Sequence, residues 1–294
     1  MAHFELQWEI STQQSGRIIR EFLKENNISK IALTDIKFAG GFITVNGAEV
    51  NVRYILQKGD KLKVGFPEEV PSEGMNGEDL PLDILYEDDF VLVVNKTAGM
   101  STIPSREHPT GSLANGLIGY YQRIGLMSTT HIVTRLDRDT SGIVLIAKHR
   151  HVHHLFCLQQ RSQEIKRVYE AVAEGEVEQV KGTIEQPIGR KADSIIEREV
   201  SEKGQYACTH FQVLSRKNGH THLKMSLETG RTHQIRVHLS WVGHPLAGDE
   251  LYGGNKDLIA RQALHCGSLS FYHPFLQKRL SFEQPLPEDM QSLL

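Results

Sequence analysis

An acidic stretch without a basic residue divides this chain and limits what it can fold into. Residues 68–89 hold nine aspartates and glutamates and no lysine or arginine. Prolines and glycines lie in or beside its first part, at Pro67, Pro71, Gly74, Gly77 and Pro81. This composition does not favour a core element and is typical of a linker. We therefore expect a small unit over residues 1–66, an acidic linker over 67–80 and a larger unit over 81–294.

The composition agrees with two folded units in a reducing compartment. The 294 residues are 39% hydrophobic and 23% charged, close to the globular average. No apolar run exceeds five residues, far fewer than a membrane span requires, and the first ten residues lack the features of a secretory signal. Three cysteines without a close pair argue against a disulfide scaffold. We expect a cytoplasmic protein that does not contact a membrane.

Outside the acidic stretch, the chain is weakly basic. The whole chain carries −3, which does not favour a nucleic-acid partner. Setting aside the nine acidic residues of 68–89 leaves +6 on the rest. Such a body can attract phosphate groups, although an ordinary enzyme with a solvated acidic linker would show the same charges.

Apolar spacing and turn signals predict two helices and a hairpin in the first unit. An apolar stripe indicates a helix over 16–26, and Ser29 and the glycines at 40–41 bound a second helix. Asn46-Gly47, between two runs of strand-forming residues, is a strong hairpin signal. This order resembles the small RNA-binding module named after a small-subunit ribosomal protein, the S-four-like domain. The resemblance implies that residues 1–66 bind RNA.

The larger unit mixes strands and helices without a regular βαβ alternation. Strands are predicted at residues 90–95, 132–136, 141–147, 168–173, 207–214, 221–228, 263–271 and 279–283. Helices are predicted at residues 112–124, 149–162 and 231–242. Because several strands follow one another directly, we expect an α+β fold with a mixed, largely antiparallel sheet flanked by helices.

The sequence offers no complete site for a metal or a nucleotide cofactor. It lacks the glycine-rich phosphate loops and the HExxH and GxSxG motifs. Residues 137–142 imitate the start of a calcium loop, but Lys148 stands where that loop needs a glutamate. His149 and His153 have a spacing that can chelate zinc, yet no third ligand is evident. A solvated helix face formed by His149, His151, His153 and His154 is the preferred interpretation, so we expect neither metal nor cofactor.

Two polar segments carry the candidate chemistry. In the first, Asp137 lies between two apolar strands and is flanked by Arg135 and Arg138. Neighbouring arginines favour an ionised carboxylate, which suits a nucleophile or a base rather than a general acid. In the second, a helix would place His233 and Arg236 together on the face opposite an apolar stripe.

Three motifs together resemble the RluA-type pseudouridine synthases. The family's R-L-D-x-x-T-S/T-G segment matches residues 135–142, its K/R-x-Y-x-A-x-V-x-G strand matches 167–175, and its G-R-x-H-Q-I/L-R-V-H segment matches 230–238. The family usually has a histidine before the Arg-Leu-Asp, where this chain has Thr134. We expect that difference to bear on the RNA target rather than on the reaction.

The resemblance implies a role for each matched residue. Asp137 corresponds to the catalytic aspartate, Tyr169 to the tyrosine that lies against the uracil, and Arg236 to the basic partner of the aspartate. Arg135 corresponds to an arginine associated with flipping the target base. Two further residues of the third motif are predicted to bind substrate, namely Arg231 and His233.

The implied reaction is an isomerisation of uridine in ribosomal or transfer RNA. The uracil leaves the ribose at N1, turns and rejoins through carbon 5, so neither metal nor redox cofactor is needed. The carboxylate either attacks the sugar or removes a sugar proton, and the sequence leaves both routes open. A uridine inside a helix must first be flipped out, at a cost of a few kcal/mol.

Two other functions remain as alternatives. A glycosidase would use Asp137 and Asp139 as its two carboxylates, but it leaves the later motifs unexplained. A non-catalytic RNA-binding or ribosome-assembly protein would use the basic residues without the chemistry. An assay for pseudouridine in treated RNA separates all three.

Overall fold

A computed structural model describes residues 4–294. In its first unit, two helices pack on a four-stranded antiparallel sheet with strand order β1-β4-β2-β3. The elements are β1 (Glu5–Glu9), α1 (Ile19–Glu25), α2 (Lys30–Phe38), β2 (Phe42–Val45), β3 (Ala48–Glu49) and β4 (Lys61–Gly65). The predicted helices and hairpin are confirmed, whereas strand β1 was not predicted. The RNA-binding role of this unit stays a prediction.

Two side chains connect the turns of the small sheet. Asn46, with φ of 54° in the hairpin turn, donates from its side-chain amide to Asp60 at 2.8 Å. It also accepts the backbone N–H of Lys61 at 2.9 Å. Asp60 accepts the backbone N–H of Gln57 at 2.8 Å. The two turns are therefore held together at one edge of the sheet.

The larger unit is built on a ten-stranded sheet that runs through its centre. Its main path is β10-β13-β14-β9-β15-β8-β6-β5, with β16 beside β15 and β7 beside β8. The strands are β5 (Asp83–Glu87), β6 (Val91–Lys96), β7 (His131–Ile132), β8 (Ser141–Ala147), β9 (Lys166–Glu174), β10 (Lys181–Glu185), β13 (Cys208–Lys217), β14 (His220–Leu227), β15 (Leu264–His273) and β16 (Lys278–Glu283). A separate pair is formed by β11 (Ile188–Arg190) and β12 (Arg198–Val200). The helices are α3 (Leu113–Ile124), α4 (Arg150–Arg161), α5 (Gln234–Trp241) and α6 (Glu288–Gln291).

The sheet is mixed and largely antiparallel, as predicted. Only β8 and β15, among the strand pairs of residues 4–294, run parallel. Helices cover both faces of the sheet. Alternate residues of β8 point to opposite faces, so this strand contributes to two separate cores. Val144 and Ile146 belong to the core that includes α3 and α5, and Ile143 and Leu145 to the core that includes α4. All seven residues of β8 are buried, so the site at its start rests on a rigid strand.

One predicted strand was too long. Residues 132–136 were expected to be extended, but the observed strand β7 ends at Ile132. The side-chain oxygen of Thr134 accepts the N–H of Leu145 at 2.9 Å, so a side chain takes the place of a backbone ladder partner. The chain then leaves the sheet just before Asp137. Short strands β5, β10, β11 and β12 were not predicted.

The acidic linker lies against the larger unit. One carboxylate oxygen of Glu69 accepts the backbone N–H of Arg150 at 2.8 Å, and the other contacts the Nε2 of His131. Farther along, Glu78 accepts the N–H of Gly111 at 3.0 Å, and the carbonyl of Asn76 is also hydrogen-bonded. The boundaries of the linker stay a prediction, but its backbone has fixed neighbours.

The small unit docks on α4 through aromatic rings. Phe4 stacks on His149 with ring centres 4.2 Å apart, and Phe66 stacks on His151 at 5.3 Å. Asp35 forms an ion pair with Arg150 at 2.7 Å. The expectation of a solvated histidine face was therefore wrong for His149 and His151, because the small unit covers them. No helix of residues 4–294 is long and apolar enough to cross a membrane.

Candidate active site

The loop that carries Asp137 is fixed on both sides of that residue. Before it, the hydroxyl of Thr102 donates to the carbonyl of Leu136 at 2.5 Å and lies 3.2 Å from its N–H. After it, the ammonium of Lys96 donates to the carbonyl of Arg138 at 3.0 Å. Hydrogen bonds therefore hold the loop backbone on both sides of Asp137 and determine where its carboxylate lies.

Lys96 is a buried cation that the sequence analysis missed. Only 1% of it is exposed, and it also donates to the carbonyls of Thr97 and Met100 at 2.8 Å each. Burial lowers the pKa of Lys96 to about 7, although Asp139 and Asp137 lie near enough to oppose that shift. The one available signal in the sequence was a lysine at the end of an apolar strand. That signal does not reveal that Lys96 contacts Arg138, which is 42 residues away along the chain.

A close strand contact sets where the loop joins β8. Gly142 has φ of 117°, and a Cβ there would lie 2.3 Å from the carbonyl oxygen of Cys266 on β15. Only glycine tolerates both conditions. The approach allows β8 and β15 to pair in parallel at this point, directly after the Asp137 loop.

Arg236 is the cation that contacts Asp137. It projects from α5, and its Nη1 donates to Asp137 at 3.1 Å. Asp249 accepts from the Nε and Nη2 of the same guanidinium at 2.7 and 2.8 Å. Burial would lower the pKa of Arg236, but its hydrogen bonds to the Asp249 carboxylate outweigh burial, and the pKa is raised. Arg236 is therefore a permanent charge with a fixed orientation.

His233 and Tyr252 complete this side of the site. The helix predicted over 231–242 begins only at Gln234, and His233 is the N-cap residue before it, with a left-handed φ of 58°. The Nε2 of His233 lies 3.9 Å from the Asp137 carboxylate. Its Nδ1 is 2.7 Å from the hydroxyl of Tyr252, whose ring lies 4.9 Å from the Arg236 guanidinium. Burial lowers the pKa of His233 despite the nearby Asp137, which favours a neutral ring at pH 7.

Tyr169 forms the floor of a small recess beside Asp137. The side chain comes from β9 and is buried. Arg167 donates to its hydroxyl at 3.0 Å. Burial raises the pKa of the Tyr169 phenol, so the ring is neutral and cannot act as a base near pH 7. The recess has a volume of about 80 Å³, and Asp137, Tyr169 and Arg236 line it.

A larger cleft opens on the other side of Asp137. Its volume is about 950 Å³, and Asp137, His233 and Arg236 line it together with residues of several loops. Besides Arg236, its basic residues are Arg106, Arg138, Lys256 and Arg261, and they alternate with the acidic residues Glu107, Asp139, Glu197 and Glu250. Asp137 therefore lies where a narrow recess meets a wide cleft whose walls carry charges of both signs.

The other predicted residues occupy different positions. Arg135 and Arg231 are exposed and line the recess, where a substrate can reach them. Arg138 does not contact Asp137, because its guanidinium pairs with Asp139 and donates to His108. The expectation that the adjacent arginines act on Asp137 was therefore wrong for Arg138; the contact comes from Arg236, 99 residues away. Thr134 is buried, and its hydroxyl accepts the N–H of Leu145; the expectation that its difference from the family bears on the RNA target stays a prediction.

Comparison with known proteins identifies the family. The RNA pseudouridylate synthase family profile matches residues 90–241, more than half of the chain. A Bacillus subtilis protein named as an RNA pseudouridine synthase, YjbO, is 54% identical over 276 residues, which cover 94% of this chain and 98% of that protein. The chain belongs to the RNA pseudouridylate synthase family.

More distant relatives of the synthase agree with this result. A Pseudomonas aeruginosa protein named ribosomal large subunit pseudouridine synthase D is 36% identical over 306 residues, covering 99% of this chain and 93% of that protein. The fold also resembles that of human RNA pseudouridylate synthase domain containing 1, with a TM-score of 0.60 and 24% identity over 71% of this chain and 85% of that one. The synthase is an RNA-modifying isomerase, and the glycosidase and non-catalytic alternatives are set aside.

Proposed function

We propose that this synthase modifies uridines of large-subunit ribosomal RNA, with Asp137 as its catalytic carboxylate. The observation that carries the proposal is the position of Asp137 where the recess and the cleft meet. A strand of RNA in the cleft can deliver one flipped base to the recess while its sugar stays beside the carboxylate.

Each predicted residue has a role in this arrangement. Asp137 acts on the ribose, either by attacking C1′ or by removing a sugar proton. Tyr169 lies against the uracil as a neutral ring. Arg236 orients the carboxylate through its hydrogen bond. Arg135, Arg231 and His233 contact the flipped nucleotide or its phosphates, because they line the recess entrance.

The reaction balances without an external reagent. The bond between C1′ and N1 breaks, and a bond between C1′ and C5 forms. The C5 proton leaves, and N1 takes up a proton. No electron is gained or lost overall, so the chain's own residues have to bind, orient and exchange protons. Base flipping costs a few kcal/mol, which phosphate contacts of the exposed arginines at the recess, Arg135 and Arg231, can offset.

Ribosomal RNA is preferred over transfer RNA as the substrate because of the relatives' names. Proteins from Pseudomonas aeruginosa and Neisseria meningitidis that this chain resembles over 97–99% of its length are named ribosomal large subunit pseudouridine synthases. Modification of ribosomal RNA would place the synthase in the cytoplasm. The small unit over residues 1–66 would add RNA contacts outside the reacting centre.

A substrate panel tests this proposal. Purified synthase is incubated separately with unmodified large-subunit RNA, small-subunit RNA and a transfer RNA pool, and pseudouridine is mapped after chemical labelling. We expect new pseudouridine at defined positions of the large-subunit RNA. Modification confined to transfer RNA would contradict the choice of substrate while leaving the enzyme activity intact.

A further inference from the structure

Three metal-binding side chains meet outside the active site, at the end of the β13–β14 pair. Cys208 and His210 alternate on β13 and therefore share one face. Glu228 follows β14, and its N–H donates to the carbonyl of Cys208 at 3.2 Å. The His210 Nε2 lies 3.8 Å from the Cys208 sulfur and 2.8 Å from a Glu228 oxygen, and all three donor atoms lie within 4.8 Å of one another.

We propose that Cys208, His210 and Glu228 bind one Zn²⁺ ion and leave its fourth position to water. Thiolate, imidazole and carboxylate are the donor types that zinc takes in proteins, at about 2.0–2.3 Å from the metal. Such bonds at tetrahedral angles place neighbouring donors roughly 3.3–3.6 Å apart. The distance between the Cys208 sulfur and the His210 Nε2 must shorten by a few tenths of an ångström, and the distance between that nitrogen and the Glu228 oxygen must lengthen. Rotation of the exposed side chains of His210 and Glu228 permits both changes.

The surroundings of His210 suit a ligand. Its Nδ1 lies 2.8 Å from the hydroxyl of Thr183 on β10, so a proton on Nδ1 has an acceptor and Nε2 is left for the metal. A partner on the second ring nitrogen is typical of metal-bound histidine. One thiolate and one carboxylate also neutralise the two charges of Zn²⁺, so the half-buried site holds no net charge.

The position indicates what the ion would do. The carbonyl of Cys208 accepts from the side chain of Gln234 at 2.9 Å, and the oxygen of that side chain accepts the N–H of Arg231 at 3.0 Å. The ion would therefore stiffen the segment that presents Arg231 and His233 to RNA. It would take no part in the reaction. As the zinc–sulfur bond forms, the Cys208 thiol releases its proton to solvent.

This site could not be predicted from the spacing of its residues along the chain. The cysteine and histidine are two residues apart, but the third ligand is 18 residues from His210 and reaches it only because β13 and β14 pair. This inference is independent of the RNA substrate, so it stands or fails separately from the proposed function.

Cobalt titration tests the proposal. Co²⁺ is added to the full-length, reduced protein after chelator treatment, and the near-ultraviolet absorption of a thiolate–cobalt bond is recorded. We expect that absorption to saturate at one Co²⁺ per chain and to disappear when one equivalent of Zn²⁺ displaces the cobalt. Absence of thiolate–cobalt absorption at saturation would overturn the proposal.

Matched variants locate the ion. Cys208→Ser should abolish the thiolate band, and His210→Gln, at a half-exposed position that should not affect folding, should weaken Co²⁺ binding at least about tenfold. Cys157→Ser, which alters a partly exposed cysteine elsewhere in the chain, should leave the titration unchanged. Unchanged binding in the folded His210→Gln variant, or loss of the band in Cys157→Ser instead, would contradict the assignment.

Discussion

At the scale of single residues, the candidate site depends on a guanidinium shared by two carboxylates. Asp249 uses both oxygens on Arg236, while Asp137 receives one hydrogen bond from it. Asp249 is only 2% exposed, and both of its carboxylate oxygens are occupied by Arg236. We interpret Asp249 as a positioning residue that directs the remaining N–H of Arg236 at Asp137.

Asp249→Asn tests this positioning. The amide keeps the shape but cannot accept two charge-assisted hydrogen bonds, so Arg236 loses its fixed orientation. We expect kcat to fall by about a hundredfold, the usual effect of a misplacement near 1 Å, with KM changed much less. Asp139→Asn is the control, because that carboxylate pairs with Arg138. Equal kcat losses in the two folded variants would contradict the interpretation.

At the scale of elements, the spacing of strands around Gly142 determines whether the site forms. Gly142→Ala would push a Cβ against the Cys266 backbone at a positive φ, so we expect a loss of about 3 kcal/mol in the free energy of unfolding. Gly219→Ala is matched, because Gly219 has φ of 74° with no atom within 4 Å of the added Cβ. It should cost only about 1 kcal/mol. Urea unfolding measures both, and equal losses would show that strand proximity is unimportant.

The sequence predicted the elements better than the contacts between them. Strands with long apolar runs, such as β8, were located correctly because such a run is stable only when it is buried in the core. Asp137 and Arg236 were found from motifs, whereas Tyr169 needed the family resemblance because a buried strand tyrosine is common. Lys96 and Asp249 were missed, since each acts through a partner that only the tertiary fold brings near.

At the scale of the whole molecule, buried histidines connect the small unit to the synthase domain. His149 and His151 lie under Phe4 and Phe66. Burial lowers the pKa of each to about 4, although Glu69 opposes the shift at His149. Exposed histidine has a pKa near 6.5, so the undocked form binds more protons between these values. Docking is therefore fully stable above pH about 6.5 and loses stability as the pH falls toward about 4.

Acid titration tests the docking. We expect the radius of gyration from X-ray scattering to increase between pH 6.5 and 4.5, with far-ultraviolet circular dichroism unchanged, as the small unit separates. His151→Phe keeps a ring at the interface but cannot be protonated, so its transition should begin at lower pH. Identical transitions in the variant and the original protein would show that His151 does not control docking.

Single-turnover pseudouridine formation with Asp137→Asn at saturating RNA tests whether Asp137 is the catalytic carboxylate. The substitution keeps the shape of the side chain but removes its charge and nucleophilicity. We predict a rate at least about a thousandfold lower, equivalent to about 4 kcal/mol, with RNA affinity nearly unchanged. Asp139→Asn, two residues away, should stay within tenfold of the original rate. Pseudouridine formation by purified Asp137→Asn at a rate near that of the original protein would contradict the account.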